Sequence, residues 1–413
     1  MTPHPVSPHP KDWSWPLWPI FPLYPYGQRR TLRTEVVKDT LWTFDQIQGV
    51  LYVVTPIRMT VVKLDAGGLL VYAPVAPTPE CLRLMADLEA QHGAVKYIIL
   101  PTVSGLEHKV FVGPFARRFP RAQVFVAPSQ WSFPLNLPLS WLGLPVGRTQ
   151  RLPTDCSQAP FADEFDYALL GPINLGLGHF EEAAFFHRRS RTLLLTDALV
   201  SVPATPPAVV QLDPYPLLFH AKDSALEPLQ DTPAARQKGW QRVVLFTFFF
   251  APSALEVAAL KQTLQEARHA PERSRRAYFG LFPFQWKAGW EKSFEAVQRK
   301  GEWFVAPILE RLILNRAPQQ TLAWANLVAS WNFERIVPCH FAIADATPQQ
   351  FLDAFHFLHR FLQETHSPQV DPLESQPSNA PSTAPSKQDY QLLNLLEQTL
   401  QQWRILLPPH NQE

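Results

Sequence analysis

The chain has 413 residues, of which 37 are Lys or Arg and 36 are Asp or Glu, so its formal net charge is only +1. So small a charge argues against whole-molecule attraction to nucleic acid, and no nucleic-acid partner is expected. A hydrophobic content of 46% and a charged content of 18% exclude a disordered chain and are typical of a globular protein with a large core.

Cysteine usage and hydropathy bear on the location of the protein. Three cysteines, Cys81, Cys156 and Cys339, form no C-x-x-C pair, which argues against a disulfide framework and fits a reducing compartment. The N-terminus lacks the residue order of a secretory signal. The nearest candidate for a membrane span, Val243–Leu260, is interrupted by Pro252 and is predicted to be a buried strand and helix. We therefore expect a soluble, cytoplasmic protein.

Residues 1–35 form a segment rich in proline and aromatic side chains, concentrated between Trp13 and Tyr26. Prolines at this density predict an extended, polyproline-like ribbon rather than a helix or an interior strand. Two interpretations stay open. The ribbon is a strap whose aromatic side chains fill grooves of the core, or it is an anchor for a partner or for peripheral contact with a membrane.

Strands follow the strap. Three β-rich runs and a turn at Asp65–Gly68 predict an antiparallel meander; the runs are Thr40–Phe44, Val50–Val54 and Met59–Leu64. Thr78-Pro79 then has the capping signature of a helix start, and Gly93 is a typical helix end. Later apolar runs predict buried strands at Val95–Leu100, Gln123–Pro128, Phe165–Leu170, Ala183–Phe186, Arg191–Asp197 and Glu334–His340.

The second half of the chain is divided by composition. A mostly helical insertion is predicted at about 240–330, inside a main domain spanning 36–365. Residues 366–387 have the composition of a flexible linker, and residues 388–413 carry the spacing of an amphipathic helix. That helix either docks on the body or binds a protein partner through residues 389–407. The basic run Arg273–Arg276 is interpreted as a solvated loop, with contact to an anion as the alternative.

Four stretches of the sequence carry a family resemblance: RMTVVKLDAGGLLVYAPV, YIILPTVSGLEHKVFVGPF, LGHFEEAAFFHRRSRTLLLTDALV and RIVPCHF. They resemble the metallo-β-lactamase-like hydrolase fold, and more closely an uncharacterised branch of it, a domain of unknown function typical of cyanobacteria and plastid-bearing lineages. The resemblance implies an α/β protein built as a four-layer α/β/β/α sandwich. It also implies one or two metal ions at loops along one edge of the sheets.

The metal motif of that family is degenerate in this chain. The family pattern T-H-x-H-x-D-H starts here at Thr102, and its two leading histidines fall on Val103 and Gly105, which cannot bind a metal through their side chains. Its acid falls on Glu107, and its last histidine is kept as His108.

The rest of the family's site lies on three later segments. By resemblance, His179, Asp197 and His340 are the ligands of a single zinc or iron ion, and Glu107 and His108 are catalytic, acting on a water. The alternative for each of these residues is that its side chain only satisfies backbone groups at a strand end.

Two functions follow from this inventory. The first is a non-catalytic protein with a degenerate metal motif that binds a ligand or a protein. The alternative is a single-metal hydrolase, with zinc or iron, of an ester or related bond. A peripheral membrane or complex-associated factor that uses Trp13–Tyr26 is compatible with either.

Overall fold

Two β-sheets form the centre of the protein, in a computed structural model that describes residues 7–20, 22–103, 107–130, 137–176, 178–364 and 388–408. The first sheet has seven strands that follow one another in chain order. They are β1 (Leu32–Val37), β2 (Leu41–Val50), β3 (Val53–Lys63), β4 (Leu69–Tyr72), β5 (Val95–Leu100), β6 (Gln123–Val126) and β7 (Thr149–Arg151). Strands β1 to β4 are antiparallel, as the meander predicts, and β4 to β7 are parallel.

The second sheet has five strands in the order β14-β13-β10-β9-β8. They are β8 (Phe165–Asn174), β9 (His179–His187), β10 (Thr192–Leu195), β13 (Arg335–Pro338) and β14 (Ala344–Asp345). Only the β10–β13 pair is parallel. A separate two-stranded sheet pairs β11 (Leu255–Val257) with β12 (Phe284–Trp286).

Helices cover both outer faces of the paired sheets. The first sheet packs on α1 (Pro79–His92) and α2 (Lys109–Arg118). The second packs on helices that lie between β10 and β13 or after β14, namely α3 (Ala208–Gln211), α4 (Tyr215–Ala221), α5 (Pro233–Phe249), α7 (Trp290–Gln298), α8 (Pro307–Leu312), α9 (Pro318–Ala329), α10 (Pro348–Asp353), α11 (Phe357–Glu364) and α12 (Gln391–Gln402). Helix α6 (Leu260–His269) lies outside this core and contacts the 3-10 helix Arg275–Gly280. Of the helices in the described ranges, none is both long and apolar enough to cross a membrane.

The four layers can be read from three hydrophobic cores. The middle core lies between the sheets, where Tyr72 and Phe125 of the first sheet meet Phe185 and Leu194 of the second. One outer core joins the first sheet to α1 and α2, and the other joins the second sheet to the later helices. The predicted α/β/β/α sandwich is therefore confirmed.

The helix predicted to begin at Thr78 is α1, and its ends form as its sequence indicates. The Thr78 side chain accepts a hydrogen bond from the Cys81 amide, and Pro79 occupies the first turn, where its missing N–H is not needed. Gly93 ends the helix with a φ of 94°, a backbone conformation that favours glycine.

The predicted strand Val50–Val54 is wrong. Strands β2 and β3 run on through the predicted gaps and meet at this point in a tight turn, with a φ of 49° at Leu51 and 65° at Tyr52. Leu51 and Tyr52 are residue types typical of strands, so the sequence predicts a strand here. A two-residue turn with two positive φ angles usually contains Asn and Gly instead.

Two other predicted segments also differ in the structure. The N-terminal strap is not a plain extended ribbon, because it contains two 3-10 helices, Pro10–Trp13 and Trp18–Ile20. Val243–Leu260 contains no buried strand, since its first part completes α5, Pro252 follows, and the exposed strand β11 precedes α6. The helical part between β10 and β13 begins at Ala208, earlier than predicted.

The C-terminal segment docks on the body. Leu393 of α12 is buried, and Glu397 accepts a 2.9 Å hydrogen bond from Arg316 Nη2. Beyond the helix, the Leu407 amide donates to the Leu175 carbonyl in the turn before β9. The predicted linker lies outside the described residues.

Arg58 on β3 ties the two sheets together. Its Nε lies 2.7 Å from Oδ1 of Asp45, its cross-strand neighbour on β2. Its two terminal nitrogens donate to the carbonyls of Pro338, at 2.7 Å, and Phe341, at 2.9 Å, at the end of β13. A buried guanidinium with these partners fixes the end of β13 against the first sheet.

We expect Arg58→Met to destabilise the fold by about 3–5 kcal/mol, because it leaves Asp45 buried without its cation and frees two carbonyls. Urea denaturation followed by circular dichroism measures the loss. The matched control is Arg189→Met, which removes the exposed pair of Arg189 with Asp65 and should change the free energy of unfolding by less than about 1 kcal/mol. Equal losses in the two variants would contradict this role of Arg58.

Candidate functional site

The candidate site lies at the edge where parallel strands of both sheets end. Pro101–Val103 follows β5, Asp197 follows β10 and His340 follows β13. The backbones of Val103 and Glu181 are hydrogen-bonded, which brings the end of β5 beside the beginning of β9. Carboxyl ends of strands are where α/β folds present ligand-binding residues.

Both ring nitrogens of His340 are engaged. Nδ1 lies 2.9 Å from the carbonyl oxygen of Pro56 on β3, and Nε2 lies 3.1 Å from Oδ1 of Asp197. A carbonyl oxygen only accepts, so Nδ1 carries a proton and donates to Pro56. If Nε2 were unprotonated, its lone pair would face a carboxylate oxygen. The ring is therefore most stable as an imidazolium ion that donates from both nitrogens.

The charge state of His340 follows from this contact. Burial alone lowers the pKa of the imidazole, but the hydrogen bond and negative charge of Asp197, together with the charge of Glu107, raise the pKa to about 8. At neutral pH His340 and Asp197 form a largely buried ion pair, with side chains 12% and 26% exposed.

Glu182 on β9 holds the turn that carries Asp197. Its carboxylate accepts the backbone amides of Thr196, at 2.6 Å, Asp197, at 3.0 Å, and Ala198, at 2.8 Å. Burial and the neighbouring charge of Asp197 raise the pKa of Glu182. The sequence contains the signal for this role, an acid within the apolar stretch of β9, but only the pairing of β9 with β10 identifies the amides it serves.

His108 is a buried histidine at this edge, and one of its ring nitrogens is unused. Its Nδ1 lies 3.1 Å from the carbonyl oxygen of Pro74, whereas its Nε2 has no hydrogen-bond partner within the part of the chain that the structure describes. Burial, and then the charge of His340, lower the pKa of His108 to about 4. The imidazole is therefore neutral at pH 7, with its proton on Nδ1 and a lone pair on Nε2.

His179 is an exposed residue at the start of β9, and no hydrogen bond or ion pair among the described residues joins its side chain to Asp197 or His340. Burial raises the pKa of the neighbouring Glu181, and hydrogen bonds from Ser129 and the charge of His179 oppose this rise. Glu181 in turn accepts hydrogen bonds from the amide of Ser129, at 2.7 Å, and from its hydroxyl, at 3.2 Å. The sequence did not single out Glu181 or Ser129.

His108, Asp197 and His340 are therefore close enough for their charges to shift the pKa values of both histidines. The charge of Glu107 also raises the pKa of His340. Val103, at the position of the first family histidine, is buried, and Gly105, at the second, lies outside the described residues. The roles predicted for Glu107, His108, His179, Asp197 and His340 stay predictions.

We tested whether these residues fit a zinc or iron ion. Within the described ranges, no three His, Cys, Asp or Glu side chains form a group placed to hold a metal. His340 Nε2 is occupied by Asp197, whereas His108 Nε2 keeps a buried lone pair that no described residue uses. A catalytic zinc ion requires three protein ligands, so the arrangement does not fit one as it stands.

A family model describes much of this chain. It is that of a domain of unknown function, DUF4336, and it matches residues 38–357. The chain belongs to this family. No curated protein matches the sequence.

Solved structures show distant similarity to the chain. A metallo-β-lactamase from Pontibacter korlensis is 11% identical, with a TM-score of 0.35 over 79% of this chain and 98% of that chain. The mono-zinc form of the metallo-β-lactamase FIM-1 from Pseudomonas aeruginosa is 8% identical, with a TM-score of 0.38 over 82% and 97%. The flavodiiron core of Flv1 from Synechocystis is 10% identical, with a TM-score of 0.39 over 81% and 62%. Likeness at this level says nothing of what the chain binds or catalyses.

The ion pair of His340 predicts a pH dependence of stability. The folded state holds the His340 proton with a pKa of about 8, against about 6.5 for an unfolded histidine. The contribution is complete below about pH 6.5 and is lost as the pH rises through about 8, a difference of about 2 kcal/mol at most.

Between pH 6 and pH 9 the free energy of unfolding of His340→Asn should therefore fall less than that of the parent chain. Urea denaturation at several pH values, with a chelator present to exclude metals, gives the difference between variant and parent. His356→Asn, at an exposed histidine, should keep the parent's slope. The same slope in the parent and in His340→Asn would contradict the prediction.

Proposed function

We propose that this protein is a non-catalytic member of its fold class that acts by binding a ligand or a protein partner. The observation that carries the proposal is the contact between His340 Nε2 and Asp197 Oδ1, with both nitrogens of His340 engaged. A proton stands between the two groups that the family resemblance assigns to a metal ion. The degenerate motif at Val103 and Gly105 supports the same conclusion.

Two further carboxylates at this edge, Glu182 and Glu181, are used structurally, which also supports the proposal. Glu182 accepts three consecutive backbone amides and Glu181 serves the Ser129 loop, so each acid fixes the shape of a turn. Buried backbone amides at strand ends must find such acceptors. The edge is then a rigid framework whose loops are available for recognition.

One observation favours the alternative, a hydrolase that uses a single zinc or iron ion on an ester or related bond. The His108 ring donates from Nδ1 to a backbone carbonyl and keeps a lone pair on Nε2, which is the usual arrangement of a metal-binding histidine. An ion there would also have to displace the proton between His340 and Asp197.

Metal content distinguishes the two functions. We expect the full chain, purified without a chelator and analysed by inductively coupled plasma mass spectrometry, to contain less than about a tenth of an equivalent of zinc, iron or manganese. Added zinc should not raise the melting temperature of the parent beyond the change seen with His340→Ala, because Asp197 already has a proton-bearing partner.

The hydrolase is supported instead if the parent carries close to one equivalent of metal that His340→Ala and Asp197→Ala both lose. His179→Ala serves as the matched variant. Metal that survives this substitution would indicate an ion held at His340 and Asp197 without His179. Metal that disappears with it would restore the predicted ligand set of His179, Asp197 and His340.

A further inference from the structure

Seven large apolar side chains from three separate segments are exposed near one another, and we call them the apolar tip. Their exposed fractions run from 37% to 66%. The segments are the strap, the β2–β3 turn and the loop after Arg273, and the residues are Leu17, Trp18, Ile20, Tyr26, Val50, Leu51 and Phe279. Exposed apolar side chains gathered on neighbouring segments of a folded protein are typical of a site of contact.

Specific contacts join the three segments. The backbones of Tyr24 and Gly49 exchange two hydrogen bonds, of 2.9 and 3.1 Å, which fix the strap beside the β2–β3 turn. The Tyr52 hydroxyl donates to the carbonyl of Arg276 at 2.7 Å, and the ring centroids of Tyr52 and Tyr278 are 5.2 Å apart. The turn and the later loop therefore share a common base.

That base is a buried cluster of aromatic rings. The Tyr52 ring lies 5.0 Å from Tyr24, 5.2 Å from Tyr215 and 5.1 Å from Phe219, measured between ring centroids. Tyr24 is also fixed by a hydrogen bond from its hydroxyl to Asp213. The apolar tip is thus preformed, and little ordering is required when it makes contact with a surface.

The backbone of the tip is held in an unfavourable conformation. Leu51 and Tyr52 have φ angles of 49° and 65°, and Tyr278 and Phe279 have φ angles of 50° and 59°. Asn and Gly are the residues that such positions favour, and both conformation and solvent disfavour an exposed Leu or Phe there. An exposed apolar side chain at two strained turns indicates a surface with a role in contact.

The charge around the tip is positive. Residues 13–30, 47–57 and 273–282 contain no Asp or Glu, whereas the last of these includes Arg273, Arg275 and Arg276. Of the neighbouring acids, Asp213 pairs with Arg276, whereas Glu272 accepts from the hydroxyls of Tyr215 and Ser274 and keeps its charge. Arg273 and Arg275 outnumber that single carboxylate. Arg273 and Arg275 are exposed at the rim of the tip.

We propose that the apolar tip inserts into the surface of an anionic membrane. Two features favour a lipid surface over a protein partner. The side chains lie at the ends of turns and loops, and they combine Trp, Tyr and aliphatic groups with arginines, as residues at a membrane interface do. Arginines at the rim attract anionic headgroups while the apolar side chains enter the acyl boundary.

The test is co-sedimentation of the full chain with vesicles of phosphatidylcholine alone and of phosphatidylcholine with phosphatidylglycerol. We expect binding to the anionic vesicles that weakens as salt is raised, and little binding to the neutral ones. Leu51→Asn and Phe279→Asn should each weaken binding by about tenfold or more, since each removes an apolar side chain that the membrane would bury. Arg273→Gln with Arg275→Gln should lower binding to anionic vesicles alone.

The asparagine variants are chosen so that misfolding cannot explain a loss. Asn tolerates a positive φ, so both variants should melt at or above the temperature of the parent. The matched control is Leu327→Gln on α9, where the leucine is 53% exposed against 56% for Leu51, and it should bind vesicles like the parent.

Failure of the full chain to sediment with anionic vesicles would overturn the proposal, as would binding that neither asparagine variant weakens. A third outcome also overturns it. If the parent is a dimer by analytical ultracentrifugation and Leu51→Asn is a monomer, the tip is a self-association surface. None of these outcomes depends on the metal content of the protein.

Discussion

The guanidinium of Arg58 is buried between the two sheets, and the geometry of the candidate site depends on it. Arg58 holds the carbonyls of Pro338 and Phe341, one on each side of His340. The carbonyl of Pro56, two residues before Arg58 on the same strand, accepts a hydrogen bond from His340 Nδ1. The first sheet therefore positions His340, which follows a strand of the second sheet. Asp45 neutralises the buried positive charge of Arg58.

The polar groups at the site edge are mainly bound to one another and to the backbone. Glu182 fixes the Asp197 turn, Asp197 pairs with His340, and His340 reaches across to β3. Such a chain of contacts makes the edge stiff and makes each group depend on the next. The neutral ring of His108 departs from this pattern, because its buried Nε2 has no partner among the described residues.

Local sequence signals were sufficient to predict elements whose first and last residues stabilise their own ends. Helix α1 is one, because Thr78, Pro79 and Gly93 act on their own backbone. The β2–β3 turn was not predictable, since Leu51 and Tyr52 have strand propensity and only the pairing of the two strands forces their φ angles. The positions of Asp197 and His340 were found from the sequence, whereas Glu182 acquires its role through tertiary contacts.

The C-terminal segment has a consequence for any shortened form of this protein. The family match ends at residue 357, yet the Leu407 amide is bonded to Leu175, and Leu406 bridges Gly176, in the turn that precedes His179. A fragment that ends at residue 357 would lose these contacts, and the β8–β9 turn would lack the hydrogen bond from Leu407. Leu406 and Leu407 thus lie beside the turn that precedes His179, more than two hundred positions earlier in the sequence.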